Sequence, residues 1–466
     1  MLDHRAAASR LATPYGDRRG GVRAVPRRRQ GALAVLIALL CMVSGCSLLQ
    51  EERSGPAGST DFVWDRLASQ LTAALTTKDE AAYLAGFTGA AVDQQRIFFR
   101  NVAKVPFDEV SFQPIGRPDA NGQLKVAFVH RIRNVDTYAV AERYVWTTQT
   151  REESKNQWRM TVSHVAGDTA APRSYYPAPW DVYDDIEVAS SANAVVIASA
   201  ANAALVKQHS GAAQKAAETN LALWSKNVPP GTPTAQGFVV VLEPDRKVFD
   251  AMYREGSQDG GSEAGVAIWF NRHVDDAYTP APDAESEEEA IRKGPGQGVS
   301  RIVVDTSTSF FTAKGNSPGV PSIFEHEIAH ALVAPLSGTR RVPEKWLVEG
   351  FAQYIEVVNN PQTAKALEAA LQGYPFGGHL PDDTEFEDAD ARVVAASYAL
   401  GRLAVQFVAE KYGARKAFAM VIDQYTDPRR DVVKASIEKA TGMPYDEFEP
   451  AWEQWVRAKI PAMGAW

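Results

Sequence analysis

The chain has 466 residues, 45% of them hydrophobic and 23% charged, with two cysteines and a formal net charge of −8. That much apolar material fills the cores of two or three ordinary domains, so a disordered chain is excluded; two cysteines, both within the first 46 residues, exclude a disulfide-stapled miniprotein. A single long apolar run, Ala32 to Val43, excludes a polytopic membrane protein, and the acidic balance speaks against a nucleic-acid partner.

Charge is unevenly spread. Residues 1–45 hold eight arginines against two aspartates, a surplus of six positive charges, which leaves −14 on the other 421 residues. A basic stretch, then a twelve-residue apolar run, then Ser44-Gly45-Cys46 is the order of an export signal, and the run is short for a membrane span. Val43-Ser44-Gly45-Cys46 resembles the lipobox of bacterial lipoproteins. The resemblance implies that residues 1–45 are removed, Cys41 with them, and that Cys46 carries lipid and becomes the new amino terminus. Two or more acyl chains anchor stably where one does not, which predicts a protein held at the extracytoplasmic face of the cell membrane. Residues 46–60 are polar and aperiodic and read as a flexible tether.

Residues 61–168 read as a small α+β domain. Phe62, Leu67, Leu71, Ala74 and Leu75 recur at helical spacing, a second helix is expected over about Asp79 to Phe87, and four strands rich in Val, Phe, Tyr, Trp and Thr follow, near 110–114, 124–133, 139–150 and 157–165. The element order is similar to the curved-sheet domains of the nuclear-transport-factor-2-like group, a likeness that carries no activity with it. His130 and His164 lie on these strands without a partner at ligand spacing and are read as structural or surface residues.

Residues 169–184, rich in Pro and aromatics, read as an interdomain linker. From 185 to 466 the pattern predicts a mixed sheet followed by a helical half. Strands are expected at 186–198, 238–242, 266–270 and 301–305, helices at 201–225 and 245–254, and helix everywhere from Pro321 onward. The acidic run Asp283–Glu289 reads as a solvated loop or helix start.

The decisive motif is His326-Glu327-Ile328-Ala329-His330. Residues four apart on a helix differ by about 40° around its axis, so both imidazoles leave one face and can grip one ion. Glu327 projects beside them, placed to take a proton from a water without being a ligand. A catalytic zinc site uses three protein ligands and keeps a position open, and after eighteen intervening residues comes Glu349, in Trp346-Leu-Val-Glu-Gly-Phe-Ala352. Gly350 and Ala352 are small enough to let this second helix approach the first.

This arrangement resembles the gluzincin metallopeptidases, and most closely the loosely defined peptidase MA-like lipoproteins and secreted proteins. The resemblance implies that His326, His330 and Glu349 bind one zinc ion and that Glu327 is the general base. The Gly-x-Met-Glu-Asn segment that holds the free amine in aminopeptidases of this clan does not occur, which points to an endopeptidase. Thermolysin-like relatives carry an Asp four residues after the third ligand; here that position is Gln353, so support for the ligands must come from elsewhere. In the helical tail, Tyr398 is a candidate for a hydroxyl that stabilises the oxyanion. His379 could also line the cleft but reads better as a surface loop residue, and His209 and His273 have no partners at ligand spacing. The strand 301–305 is a candidate edge on which an extended peptide could pair. The expected function is hydrolysis of peptide bonds in a peptide or protein substrate through a zinc-activated water. The alternative is a non-hydrolytic zincin-fold lipoprotein that binds a cell-envelope partner.

Overall fold

The structure, a computed structural model, describes residues 62–168, 177–253, 263–273, 297–313, 319–336 and 343–463. The signal 1–45, Cys46, the tether 46–60, the first half of the segment 169–184 and the acidic run Asp283–Glu289 lie outside the described residues. Val63–Trp466 form one structural unit, an α+β fold with two open sheets.

The first sheet is preceded by three helices, α1 (Val63–Thr77), α2 (Glu80–Leu84) and α3 (Ala91–Val102). The sequence pattern predicts only the first two. The third was hidden by its polar middle, Asp93-Gln-Gln-Arg96, but its Gln95, Phe98, Phe99 and Val102 fall on one buried face. Strands β1 (Phe107–Ile115), β2 (Gln123–Ile132), β3 (Val140–Ser154) and β4 (Gln157–Gly167) then form an antiparallel meander in chain order. Along β3 every second residue from Val140 to Thr148 is buried, the period of a strand with one covered face.

The second sheet contains β5 (Ile186–Ser190), β6 (Ala194–Ser199), β7 (Phe238–Glu243), β8 (Gly265–Asn271) and β9 (Gln297–Asp305), in the order β5-β6-β7-β9-β8. A single strand over 186–198 is expected from the sequence; the turn residues at 191–193 fold it into the β5–β6 hairpin instead. Strands β6, β7 and β9 are parallel, and β5 and β8 run antiparallel at the two sides. α4 (Ala203–Asn227) makes the crossover from β6 to β7, and α5 (Arg246–Tyr253) follows β7.

All six residues of β7 are buried, because this sheet is covered on both faces. Val239, Val241 and Val303 face a core that continues without a break through Trp180 into the aromatic cluster of the first sheet, Phe98, Phe112, Phe128 and Trp146. The segment 169–184 therefore separates two sheets and not two cores. Phe238, Val240, Leu242, Ile302 and Val304 face the helical half. That half comprises α6 (Gly319–Leu332), α7 (Lys345–Asn359), α8 (Thr363–Ala369), α9 (Ala391–Tyr412), α10 (Ala414–Thr426), α11 (Arg430–Thr441) and α12 (Tyr445–Lys459). Helix α9 is long and apolar enough to cross a membrane by composition, but its Leu400, Leu403, Ala404 and Phe407 are core residues of this half.

The strand 301–305 is not an edge. It lies inside the sheet, between β7 and β8, since the chain runs out along β8 before β9 inserts next to β7. Among the described residues the edge on this side is β8.

Candidate metal centre

Helix α6 is buried over most of its surface, with Ile323, Phe324, Ile328, Ala331 and Leu332 in the core. It is tied to its neighbours by Asn220 of α4, whose Nδ2 donates to the Glu325 carbonyl at 2.9 Å and whose Oδ1 accepts from Asn359 Nδ2 of α7 at 2.6 Å. Helix α7 is held from the other side by α9. A Cβ on Gly350 would lie 2.3 Å from the Gly401 carbonyl oxygen, and one on Gly401 2.7 Å from the Trp346 oxygen, so the two backbones touch at this crossing. The smallness of Gly350 thus serves contact with the tail helix, not the expected approach to α6. The crossing sets Glu349 and Tyr398, each next to or one turn from a crossing glycine, in the same place.

His326 Nε2 and His330 Nε2 are 3.1 Å apart, and each is 3.3 Å from Glu349 Oε2. Ligands held tetrahedrally at about 2.0–2.1 Å from an ion stand about 3.3 Å from one another. The triangle therefore has the size of one face of such a tetrahedron, and these three residues could hold a metal ion. No other such group of three occurs among the described residues.

Support for the ligands comes from Glu356, two turns beyond Glu349 on α7. One of its oxygens lies 3.4 Å from His326 Nδ1 and the other accepts a short hydrogen bond from Ser322 Oγ, one turn before His326 on α6. A carboxylate on Nδ1 leaves Nε2 as the lone-pair donor toward the triangle. The sequence reading missed Glu356. Its signal was available: seven residues after Glu349 on a helix is the same face. Gln353, the position that suggested a gap, has a buried Oε1 with no partner among the described residues.

The electrostatics are those of a site built around positive charge. Burial disfavours the His326 imidazolium, but hydrogen bonding to Glu349 and Glu356 outweighs it and raises the His326 pKa to about 10. Burial likewise pushes Glu349 up, and the charges and hydrogen bonds of His330 and His326 reverse this, holding its carboxyl well below the usual carboxylate range. A cation among these donors would replace the protons they otherwise compete for. Glu327 is buried beside the triangle, its pKa raised by burial and drawn back by the two histidines. It sits against β8: a Cβ on Gly265 would be 2.6 Å from Glu327 Cδ, so a larger residue there would have to displace the Glu327 carboxylate.

Tyr398 stands at the site, its ring 6.2 Å from that of His326 and 5.3 Å from that of Phe386. Burial, then the charges of Glu349 and Glu327, push its phenol well above the ordinary value. The other histidines among the described residues are elsewhere. His164 is exposed on β4, His209 packs edge-on against Phe311, His273 bonds by its backbone N–H to the Ala139 carbonyl, and His379 is exposed with Nδ1 at 3.0 Å from the Leu380 oxygen. His130 is fully buried in the first sheet. Cys46, the expected lipid attachment point, is outside the described residues. No protein-family model matches the chain, and no curated protein matches it.

Proposed function

We propose that this chain is a zinc-dependent metallopeptidase, held at the extracytoplasmic face of the cell membrane by lipid on Cys46. The observation that carries the reading is the tetrahedron-sized triangle of two imidazole nitrogens and one carboxylate oxygen, with a fourth group, Glu327, beside it and not in it. Two imidazoles and a carboxylate are a donor set that suits zinc. When bound, zinc supplies Lewis acidity, polarising a carbonyl and lowering the pKa of a water toward neutrality.

The chain's own residues do the rest. His326, His330 and Glu349 fix the donor geometry, and Glu356 fixes the ring of His326. Glu327 accepts the proton of the attacking water and delivers it to the leaving amine; burial keeps it basic enough to do so. The Tyr398 hydroxyl donates to the oxygen that gains charge as the carbonyl is attacked. Strand β8, whose Gly265 abuts Glu327, offers its outer main-chain groups to an extended peptide.

The test is zinc content and cleavage of a diverse peptide library by the lipid-free form starting at Ser47, compared with Glu327→Gln. We expect about one zinc per chain in both and turnover lower by about 10³-fold in the variant. Zinc in both with no Glu327-dependent cleavage would instead favour a non-hydrolytic lipoprotein that binds an envelope partner. Cys46→Ser should move the protein from the membrane fraction to the soluble one.

A further inference from the structure

The junction of the two sheets holds a second set of titratable groups that hydrolysis does not use. His130 on β2, Glu142 on β3, Asp136 in the loop between them and Arg301 on β9 are all 3% exposed or less. His130 Nε2 is 2.9 Å from Glu142 Oε1. Glu142 Oε2 accepts from Trp180 Nε1 at 3.3 Å and lies 3.1 Å from the Tyr144 hydroxyl, which is also 2.8 Å from Asp181 Oδ2. Arg301 is already committed, its Nη1 and Nη2 bonded to both oxygens of Asp136 at 2.6 and 2.8 Å.

The charges do not balance. Two buried carboxyl groups, Asp136 and Glu142, have one guanidinium near them, and that guanidinium is spent on Asp136. Tyr144 has one proton to donate and two carboxyl groups within reach. Asp181 is half-buried, but Glu142 left ionised beside a neutral His130 would be a buried charge with no cation of its own. The cluster must carry a proton of its own. Two residues before Glu142, Val140 bridges Arg272 beyond the end of β8, and Ala139 accepts the His273 N–H at 2.7 Å, while the Tyr138 ring covers the Arg272 guanidinium. The start of β3 therefore ties the proton-bearing cluster to the end of the edge strand.

We propose that a proton shared between His130 and Glu142 locks the seam between the two sheets, and that its loss at alkaline pH loosens the start of β3 from the end of β8. The inference stands independently of the metal centre. Burial, opposed by Tyr144, Arg301 and Trp180, pushes Glu142 up from 4.5 to about 8, with Asp136 adding to the rise. Burial and then Arg301 push His130 down from 6.5 to about 3, against Asp136. Asp181 is raised by burial and by Glu142, and its charge in turn helps raise the phenols of Tyr83 and Tyr253. Glu142 contributes stability that is full below 4.5 and lost as pH rises to about 8. His130 contributes stability that is full above 6.5 and lost as pH falls to about 3. Between 4.5 and 6.5 the two slopes cancel, so the net loss on the alkaline side runs from 6.5 to about 8.

Hydrogen exchange on the full exported chain tests this, with α9 amides as the internal reference. After correction for intrinsic exchange, opening of the Val140–Glu142 and Arg272–His273 amides should rise about tenfold per pH unit from pH 6.5 to 8, while α9 stays constant. Glu142→Gln, which keeps the shape but has no proton to lose, should abolish the rise. Seam protection that does not change with pH, or the same rise in Glu142→Gln, overturns the proposal. The wild-type infrared spectrum adds a test that needs no variant: a protonated-carboxyl band at pH 6 that fades by pH 9 is expected, and its absence at pH 6 overturns the lock.

Discussion

Two buried histidine–glutamate constellations sit on opposite faces of one sheet, and they solve opposite problems. In the helical half, three lone-pair donors converge on one point with edges of 3.1 to 3.3 Å. In the seam the contacts are pairwise: His130 meets Glu142, Trp180 donates to Glu142, and Arg301 forks onto Asp136. Convergence makes one point at which a cation could be held; pairwise contact is satisfied by protons alone. Residue type does not separate a ligand histidine from a structural one. What separates them is whether the neighbouring acceptors point at the same spot.

The largest effects should come from breaking each constellation at its charge. Arg301→Ala leaves Asp136 buried without its cation and should cost about 3–5 kcal/mol of stability. A urea titration should show the loss with or without zinc, because the seam holds no donor triangle. His330→Ala removes one corner of the triangle and should abolish zinc binding while costing the metal-free protein far less. Equal destabilisation of the metal-free forms by both changes would mean that the two regions are not distinct in kind.

The contrast also explains what the sequence could disclose. The metal helix is local: His326, Glu327 and His330 lie within one turn and a fraction, and Glu349 is on the next helix, so spacing alone groups them. Glu356 obeys the same helical arithmetic and was legible in principle. The seam draws on β2, β3, the turn at Pro179–Val182 and β9, and Arg301 is 165 positions from Asp136. No spacing rule reaches across that distance. His130 and Glu142 are twelve apart and become neighbours only through the β2–β3 register, in which His130 opposes Val140. The same limit caused the edge-strand error. Segment 301–305 reads correctly as a strand, but its place beside β7 depends on the route the chain takes after β8.

An intermediate effect tests whether Tyr398 acts or merely packs. Its ring lies between His326 and Phe386, and Phe keeps both contacts while removing the hydroxyl. If the hydroxyl donates to the developing oxyanion, Tyr398→Phe should lower kcat by about 10²-fold with KM little changed. Unchanged kcat would make Tyr398 a packing residue and move it to the structural side of the comparison.

The smallest and most discriminating change is Glu356→Gln, because Glu356 is where the metal centre borrows the pairwise logic of the seam. Its carboxylate faces His326 Nδ1 and accepts from Ser322, and as a hydrogen-bonded anion it helps raise the His326 pKa to about 10. That charge acts twice. It makes His326 a better donor to an ion, and it makes His326 hold a proton that the ion must displace. Below the His326 pKa the two effects largely offset each other; toward pH 10 only the first survives. Zinc affinity by chelator competition should therefore fall little at pH 6 to 7 and about tenfold near pH 9 to 10 in Glu356→Gln. A loss of the same size at every pH would mean that the carboxylate sets the position of the ring and not its charge.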